Sequence, residues 1–261
     1  MTQPLSRSAG ALRALLASRE RVAVCLDVDG TLAPIAASPG GARVPAGTRR
    51  ALRRIRAHDI ATLIVVSGRR AVEARNLVAT PVDWTIGNHG FELARGGAPA
   101  RPFGSWRGSS SVRCAAERIA EAIEGLRGVS LEDKGWTLAV HYRRGGTRAA
   151  PLVWRRVRTA VRGLDVQLLG GKQYVDVRPA GGWDKGKAVK RLLAGIYGSR
   201  WLDQVAVLYA GDDVTDEHVF TQLPAAALTV KVGTGPTQAR FRTRSPETLE
   251  RWLRFVAGEL P

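Results

Sequence analysis

Val22-Ala23-Val24-Cys25-Leu26-Asp27-Val28-Asp29-Gly30-Thr31 is the stretch that decides the fold. Its first five residues are apolar without interruption, the pattern of a strand buried on both faces of a parallel sheet. Two carboxylates follow at i and i+2, a spacing that puts both side chains on one side of an extended chain. Gly30 then releases the backbone into a tight turn. Two like charges this close to a buried strand are costly unless a cation or a protonation change compensates. The stretch therefore reads as a chemical site as well as a strand. Taken alone, it has a bland rival, a turn with two solvated aspartates.

Two further apolar runs repeat the arrangement. Residues 61–66 end in Ser67-Gly68-Arg69, and residues 205–209 end in Ala210-Gly211-Asp212-Asp213, with Thr215, Asp216 and Glu217 just beyond. Ligands of open α/β sheets sit at the carboxyl ends of the strands, so three strands deliver their polar ends to one rim. Asp27, Asp29, Asp212, Asp213 and Asp216 gathered there would repel one another without a metal. Hard, all-oxygen ligands of this kind suit Mg²⁺. A phosphate site also needs a fixed cation, which Lys185 in Trp183-Asp184-Lys185-Gly186-Lys187 can supply, with Lys187 as the runner-up.

Periodicity organises the rest. Helices are expected over 48–58, 71–78, 185–196 and 246–257, and strands over 84–86 and 227–232. The Gly- and Pro-rich segment around Gly96, Gly97, Pro99, Pro102 and Gly104 marks a boundary. Beyond it come helical spacing over 112–126, a hairpin of 129–133 and 136–143 around Lys134-Gly135, a helix over 152–164, and a hairpin over 166–178 turning at Gly170-Gly171. This αββαββ insertion does not continue the parallel sheet. The expected architecture is α/β: a Rossmann-like, doubly wound parallel core from 1–102 and 181–261, with residues 103–180 inserted as a separate domain. Alternation in the inserted strands puts Leu138, Val140, Tyr142, Val175 and Val177 on an apolar face. His141, Arg143, Asp176 and Arg178 fall on a polar one, with Glu132 and Lys134 at the first turn. An ordinary solvated sheet face is the rival reading for each of these.

The four segments Asp27-Val28-Asp29-Gly30-Thr31, Ser67, Lys185 and Gly211-Asp212-Asp213-Val214-Thr215-Asp216 stand in the order of the motifs of the haloacid dehalogenase superfamily of phosphohydrolases, which the chain resembles. Within it the chain looks like the trehalose-6-phosphate phosphatases. That resemblance is carried by Ser67-Gly68-Arg69, Gly87-Asn88-His89-Gly90-Phe91-Glu92, Glu132-Asp133-Lys134-Gly135, His141-Tyr142-Arg143, Val177-Arg178-Pro179, Lys185-Gly186 and the last acidic motif. It implies a haloacid dehalogenase-like core and a C2-type cap that closes over the rim and selects the sugar. It implies Asp27 as nucleophile forming an aspartyl-phosphate, Asp29 as acid and base, Thr31 orienting Asp29, and Lys185 with Ser67 on the phosphate oxygens. Mg²⁺ would be held by Asp27, the Asp29 carbonyl and Asp212, with Asp213 and Asp216 orienting its waters. Gly68, Arg69, Asn88, His89, Glu92, Glu132, Lys134, His141, Arg143, Asp176 and Arg178 would meet the substrate. The chain departs from the family at Asp176, where glutamate is commoner. Sucrose phosphate and a phosphorylated glycosyl-glycerate remain alternative substrates.

Composition fits this picture. The 261 residues suffice for one large domain or two. No segment approaches the ~20 apolar residues that span a bilayer. Arg13, Arg19, Glu20 and Arg21 interrupt the apolar stretch 11–24, so no signal peptide is expected. Two cysteines, Cys25 and Cys114, point to a reducing cytoplasm. The net charge of +17 admits a nucleic-acid-binding protein as the rival class. No nucleic-acid module accompanies it, however, and Arg49, Arg50, Arg53, Arg54 and Arg56 flank an apolar stripe as solvated helix arginines do. A monomer acting on a small sugar phosphate, with no specific nucleic-acid or membrane partner, is expected.

Overall fold

The computed structural model of the chain describes residues 2–36, 39–103, 109–171 and 173–261. The chain falls into two compact units, Met1–Phe103 with Asp184–Pro261, and Gly104–Trp183. The first begins with β1 (Gln3–Pro4), α1 (Ala9–Ala17), β2 (Arg21–Leu26), α2 (Ala46–Arg56), β3 (Ala61–Val66), α3 (Ala71–Val78), β4 (Trp84–Gly87), β5 (Glu92–Arg95) and β6 (Arg101–Pro102). The second holds α4 (Ser109–Ile123), β7 (Ser130–Asp133), β8 (Leu138–His141), α5 (Ala150–Ala160), β9 (Val166–Gly171) and β10 (Tyr174–Pro179). The chain then returns to the first unit through α6 (Lys185–Tyr197), α7 (Trp201–Gln204), β11 (Val205–Gly211), α8 (Val214–Gln222), β12 (Leu228–Val232), β13 (Phe241–Thr243) and α9 (Pro246–Glu259).

Among the described residues the large sheet runs β1-β13-β12-β11-β2-β3-β4-β5-β6. Its strands are parallel through β4, and β5 and β6 add an antiparallel edge. β2 lies between β11 and β3, and Val22 through Leu26 are fully buried. Each such Val or Leu contributes roughly 1.5–3 kcal/mol, which is why this run can anchor the sheet. Val22, Val24 and Leu26 join one core cluster with Leu12, Leu52, Ile55 and Leu253, so α1, α2 and α9 cover one face. On α2, Ala51, Leu52 and Ile55 are buried while Arg50, Arg53, Arg54 and Arg56 are exposed. Tyr209 points to the opposite face and packs edge-on against Phe220 of α8, ring centroids 5.8 Å apart.

The second unit has a four-stranded antiparallel sheet, β7-β8-β10-β9, in the order αββαββ along the chain. Leu138, Val140, Tyr142, Val175 and Val177 are buried with Val112, Ile119, Val153 and Val157 of α4 and α5. Two local expectations are corrected. The second hairpin does not turn at Gly170-Gly171: both glycines stay in β9, where Gly171 pairs with Tyr174, and Gln173 takes the left-handed φ of 67°. β8 is also shorter than its alternation suggests. At Tyr142 the backbone leaves the strand, its carbonyl accepts the Gly145 N–H at 3.0 Å, and Arg143 opens a single 3₁₀ turn. The boundary residue Gly104 lies outside the described residues. Cys25 and Cys114 are both free, and among the described residues no helix is long and apolar enough to cross a membrane.

Candidate active site

The β2–β11 ladder continues past Leu26, because the Asp27 N–H donates to the Ala210 carbonyl at 3.0 Å. That bond sets Asp27 beside Gly211 and Asp212. Lys185, the first residue of α6, reaches the same point from the other side of the insertion. Its Nζ lies 2.8 Å from Asp27 Oδ1 and 2.8 Å from Asp216 Oδ1. The start of α6 is fixed by Asp184, whose side chain accepts the Lys187 N–H at 2.9 Å. Lys185 is buried and Lys187 is exposed.

Asp216 is the most heavily bonded carboxylate of the group. Its Oδ1 accepts from Lys185 and from the Tyr209 hydroxyl at 2.7 Å, and its Oδ2 accepts the Asp212 and Asp213 N–H groups at 3.0 and 2.9 Å. Asp213 and Asp216 also cap the start of α8 reciprocally. Both residues therefore brace the loop that presents Asp212.

Burial pushes the Asp27 carboxyl well above the usual carboxylate range; Asp216 and Asp212 push the same way, against Lys185. For Lys185, burial alone would lower the pKa, but Asp216 and Asp27 outweigh it and hold the ammonium above its usual range. One lysine thus faces more anionic charge than it can neutralise. Oxygens of Asp27, Asp212 and Asp216 lie within 4.8 Å of one another, a hard donor set of the size a divalent cation needs. Gly30, at φ +81°, leaves room for the Asp212 carboxylate: a Cβ there would stand 2.1 Å from Asp212 Oδ2. The residues fit a hard divalent cation.

Asp29 is held by Arg69 rather than by Thr31. Arg69 Nε and Nη2 donate to the two Asp29 oxygens, each at 2.6 Å, the fork-to-fork geometry peculiar to arginine. Thr31 Oγ1 is buried without a hydrogen-bond partner. Arg69 is thereby placed as a partner of Asp29. Ser67 Oγ accepts the Arg69 N–H at 3.1 Å, and the Asn88 N–H donates to the Arg69 carbonyl at 2.5 Å. His89 has a left-handed φ of 56° and its ring lies against Gly68, where a Cβ would come within 2.4 Å of Cε1. Ser67, Gly68, Asn88 and His89 are therefore brought together. Glu92 Oε2 accepts the Ala71 N–H at 2.8 Å at the start of α3, a helix-capping contact.

In the second unit Glu132 and His141 form a half-exposed pair, 2.7 Å between Oε2 and Nε2, with Lys134 Nζ 3.8 Å from the same carboxylate. His141 also tilts against Tyr174, ring centroids 5.9 Å apart. Arg143 is exposed on its 3₁₀ turn instead of standing on the strand face. Asp176 and Arg178 are on that face but almost fully buried, the Arg178 Nε donating to Asp176 Oδ2. Their spacing of two residues puts them side by side on β10, so they spend their charge on each other rather than on solvent.

The trehalose-phosphatase family model matches residues 25–247, from the strand before Asp27 to the start of α9. The chain belongs to the trehalose-phosphatase family. It is 32% identical over 255 residues to the trehalose-phosphate phosphatase of Mycobacterium avium (strain 104), covering 91% of this chain and 62% of that protein. It is also 32% identical over 259 residues to an uncharacterized glycosyl hydrolase of Mycobacterium tuberculosis (strain ATCC 25618 / H37Rv), covering 95% of this chain and 19% of that one. The chain thus spans less than two thirds of either relative. In fold it is similar to the C. albicans trehalose-6-phosphate phosphatase C-terminal domain, with a TM-score of 0.83, 23% identity, and 99% and 98% of the two chains covered.

Two residues of this site escape a reading of the sequence alone. Tyr209 sits in an aliphatic run and looks like core, yet its hydroxyl bonds Asp216. Its signal is the hydroxyl itself, since a buried tyrosine needs a partner. Lys231, buried in β12, lies 3.2 Å from Glu217 and donates to the Asp213 carbonyl at 3.5 Å, bracing the same loop.

Proposed function

We propose that this chain hydrolyses trehalose 6-phosphate to trehalose and inorganic phosphate. The observation that carries the reading is the buried Asp27–Lys185–Asp216 arrangement at the carboxyl ends of β2 and β11, in a chain of the trehalose-phosphatase family. Asp27 attacks phosphorus in line and forms an aspartyl-phosphate, dividing one hard hydrolysis into two easier steps. Asp29 gives a proton to the sugar oxygen that leaves, then takes one from the water that cleaves the intermediate. The Arg69 fork occupies both Asp29 oxygens, so that pair must open for Asp29 to reach the leaving oxygen. Lys185 and the Ser67 hydroxyl bind phosphoryl oxygens, where charge gathers in the transition state. Mg²⁺, held by Asp27, Asp212 and the Asp29 carbonyl, would supply charge neutralisation between an anionic nucleophile and an anionic ester.

Residues 103–180 serve as a C2-type cap carrying sugar recognition, with Glu132, Lys134 and His141 as its leading contacts. The setting is a cytoplasmic, monomeric enzyme on a small sugar phosphate. The deciding experiment is phosphate release from trehalose, sucrose and glucose phosphates and a glycosyl-glycerate phosphate, with and without Mg²⁺. Metal-dependent release from trehalose 6-phosphate well above the others is expected; equal release from all would remove the substrate assignment.

A further inference from the structure

α6 and α8 bring Lys185 and Asp216 together, and they meet a second time at Gln222. Gln222 Nε2 lies 3.0 and 3.1 Å from the two Asp184 oxygens. A carboxylate only accepts, so the nitrogen end of the Gln222 amide must face it. Asp184 is the first residue of the first unit after the insertion. The same side chain caps α6 by accepting the Lys187 N–H at 2.9 Å. Gly186 lies between these partners: a Cβ there would stand 2.5 Å from the His218 carbonyl oxygen and 2.8 Å from Gln222 Cδ and Nε2. Only a glycine lets α6 seat this closely on α8 with the Gln222 side chain across it.

Three successive residues at the start of α6 therefore hold three points along α8. Lys185 bonds Asp216 in its first turn, Gly186 rests on His218, and Asp184 bonds Gln222, its last residue. At about 1.5 Å of rise per residue, Asp216 and Gln222 stand roughly 9 Å apart along the helix axis. Two ties that far apart fix the angle at which α6 crosses α8. With one tie, the start of α6 can pivot about Gly186. The inner tie carries the ammonium that must also serve a phosphoryl oxygen, whereas the outer tie touches no reacting group.

We propose that Gln222 is a positioning residue for Lys185: through Asp184 it locks the start of α6 on α8 and so keeps the ammonium in register with Asp27 while the phosphoryl group is transferred. This rests on the phosphatase reading of the rim and adds to it a residue outside the motifs.

The test is a polarity swap. Gln222→Met keeps the length of the side chain without the donor, and Gln222→Glu sets a second carboxylate against Asp184. Relative to the parent, kcat should fall several-fold in the first and about tenfold or more in the second, as a misplaced catalytic group implies. The loss should be equal on trehalose 6-phosphate and on a small aryl phosphate, with KM within about twofold. Adding Asp184→Asn to Gln222→Glu should return kcat to within about threefold of the parent. The asparagine still accepts the Lys187 N–H and now donates to the new carboxylate, so the two changes should be strongly non-additive. Hydrogen exchange of the first amides of α6 should quicken in Gln222→Glu and slow again in the double variant. Parent kcat in both single variants, or a loss that Asp184→Asn does not recover, would overturn the proposal. A lowered melting temperature with parent kcat well below it would also overturn it, since that is what a merely structural bond gives. If Gln222→Glu fails to fold, Gln222→Met and the double variant still decide. A parent without turnover on either ester would end the phosphatase reading itself, a different outcome from an active parent with unaffected variants.

Discussion

The acidic rim of the first unit and the polar strand face of the second are built from the same kinds of side chain but held in opposite ways. At the rim, partners are far apart in sequence: 158 residues between Asp27 and Lys185, and 40 between Asp29 and Arg69. On the strand face they are 9 residues apart for Glu132 and His141, and 2 for Asp176 and Arg178. The rim geometry is thus a property of the whole sheet, while the second is a property of hairpins. Burial sets the rim apart from the Glu132–His141 pair, though not from Asp176 and Arg178. The side chains of Asp27, Lys185 and Asp216 are 6%, 2% and 0% exposed, against 41% for Glu132 and 36% for His141. An exposed pair contributes only about 0–1 kcal/mol, so Glu132 and His141 can be altered with little risk to the fold. Chemistry and recognition should therefore separate by mutation.

The largest effect should come from Asp27→Asn. An amide cannot form the acyl phosphate, and turnover on every phosphate ester should fall by roughly 10⁴-fold or more. Stability should not follow activity. The folded state raises the Asp27 pKa, so above the pKa of the unfolded carboxyl this group costs stability, and the amide removes that cost. In EDTA the variant should melt no lower than the parent. Near-parent turnover would end the covalent mechanism; a lower melting temperature would contradict the charge balance drawn for the rim.

Chelation comes next. Exhaustive EDTA should stop turnover and Mg²⁺ should restore it. The metal should also raise the melting temperature of the parent, because it binds the folded state only. Undiminished activity after chelation would remove the metal.

Glu132→Ala and His141→Ala sharpen the contrast between the two regions. Each should lower kcat/KM for trehalose 6-phosphate by about 10–100-fold, the cost of losing charged hydrogen bonds to a ligand, while hydrolysis of a small aryl phosphate stays at the parent level. Equal losses on both substrates would show that these residues support the fold or the rim instead. Arg178→Ala is the wrong tool for this purpose. Its pair with Asp176 is buried, and removing the arginine should cost about 3–5 kcal/mol of stability.

What the sequence disclosed follows from the same physics. β2, β3 and β11 are continuous apolar runs because both sheet faces are covered, and α3 matches its expected span at Ala71–Val78. β1 and β13 leave no readable pattern because runs of two and three residues are too short to show a period. Gly170-Gly171 misled because glycine was taken for a turn, when here it lies in a strand beside Trp154. The motif residues were legible as types at strand ends, but not their pairing. Nothing local says that Arg69 clamps Asp29 or that Tyr209 supports Asp216. Those bonds form between separate strands only once the sheet has set its register.

The smallest effect expected is that of salt, and it concerns the part of the molecule that belongs to neither region. The formal charge of +17 is spread over surface arginines such as Arg50, Arg53 and Arg54, which are exposed on α2. If that field draws a dianionic ester toward the rim, it acts on encounter and not on the bonds made afterwards. At about 0.15 M salt the screening length is already ~8 Å, so the attraction should fade as salt is raised. Accordingly kcat/KM for trehalose 6-phosphate should decline a few-fold between low and high salt, roughly in step with screening, while kcat stays level. The decline should be no larger in Glu132→Ala than in the parent, since that variant changes recognition and not the distant field. Salt-independent kcat/KM would assign the arginines to solvation alone. Tight, sequence-dependent binding of duplex DNA at physiological salt would instead restore nucleic acid as their partner.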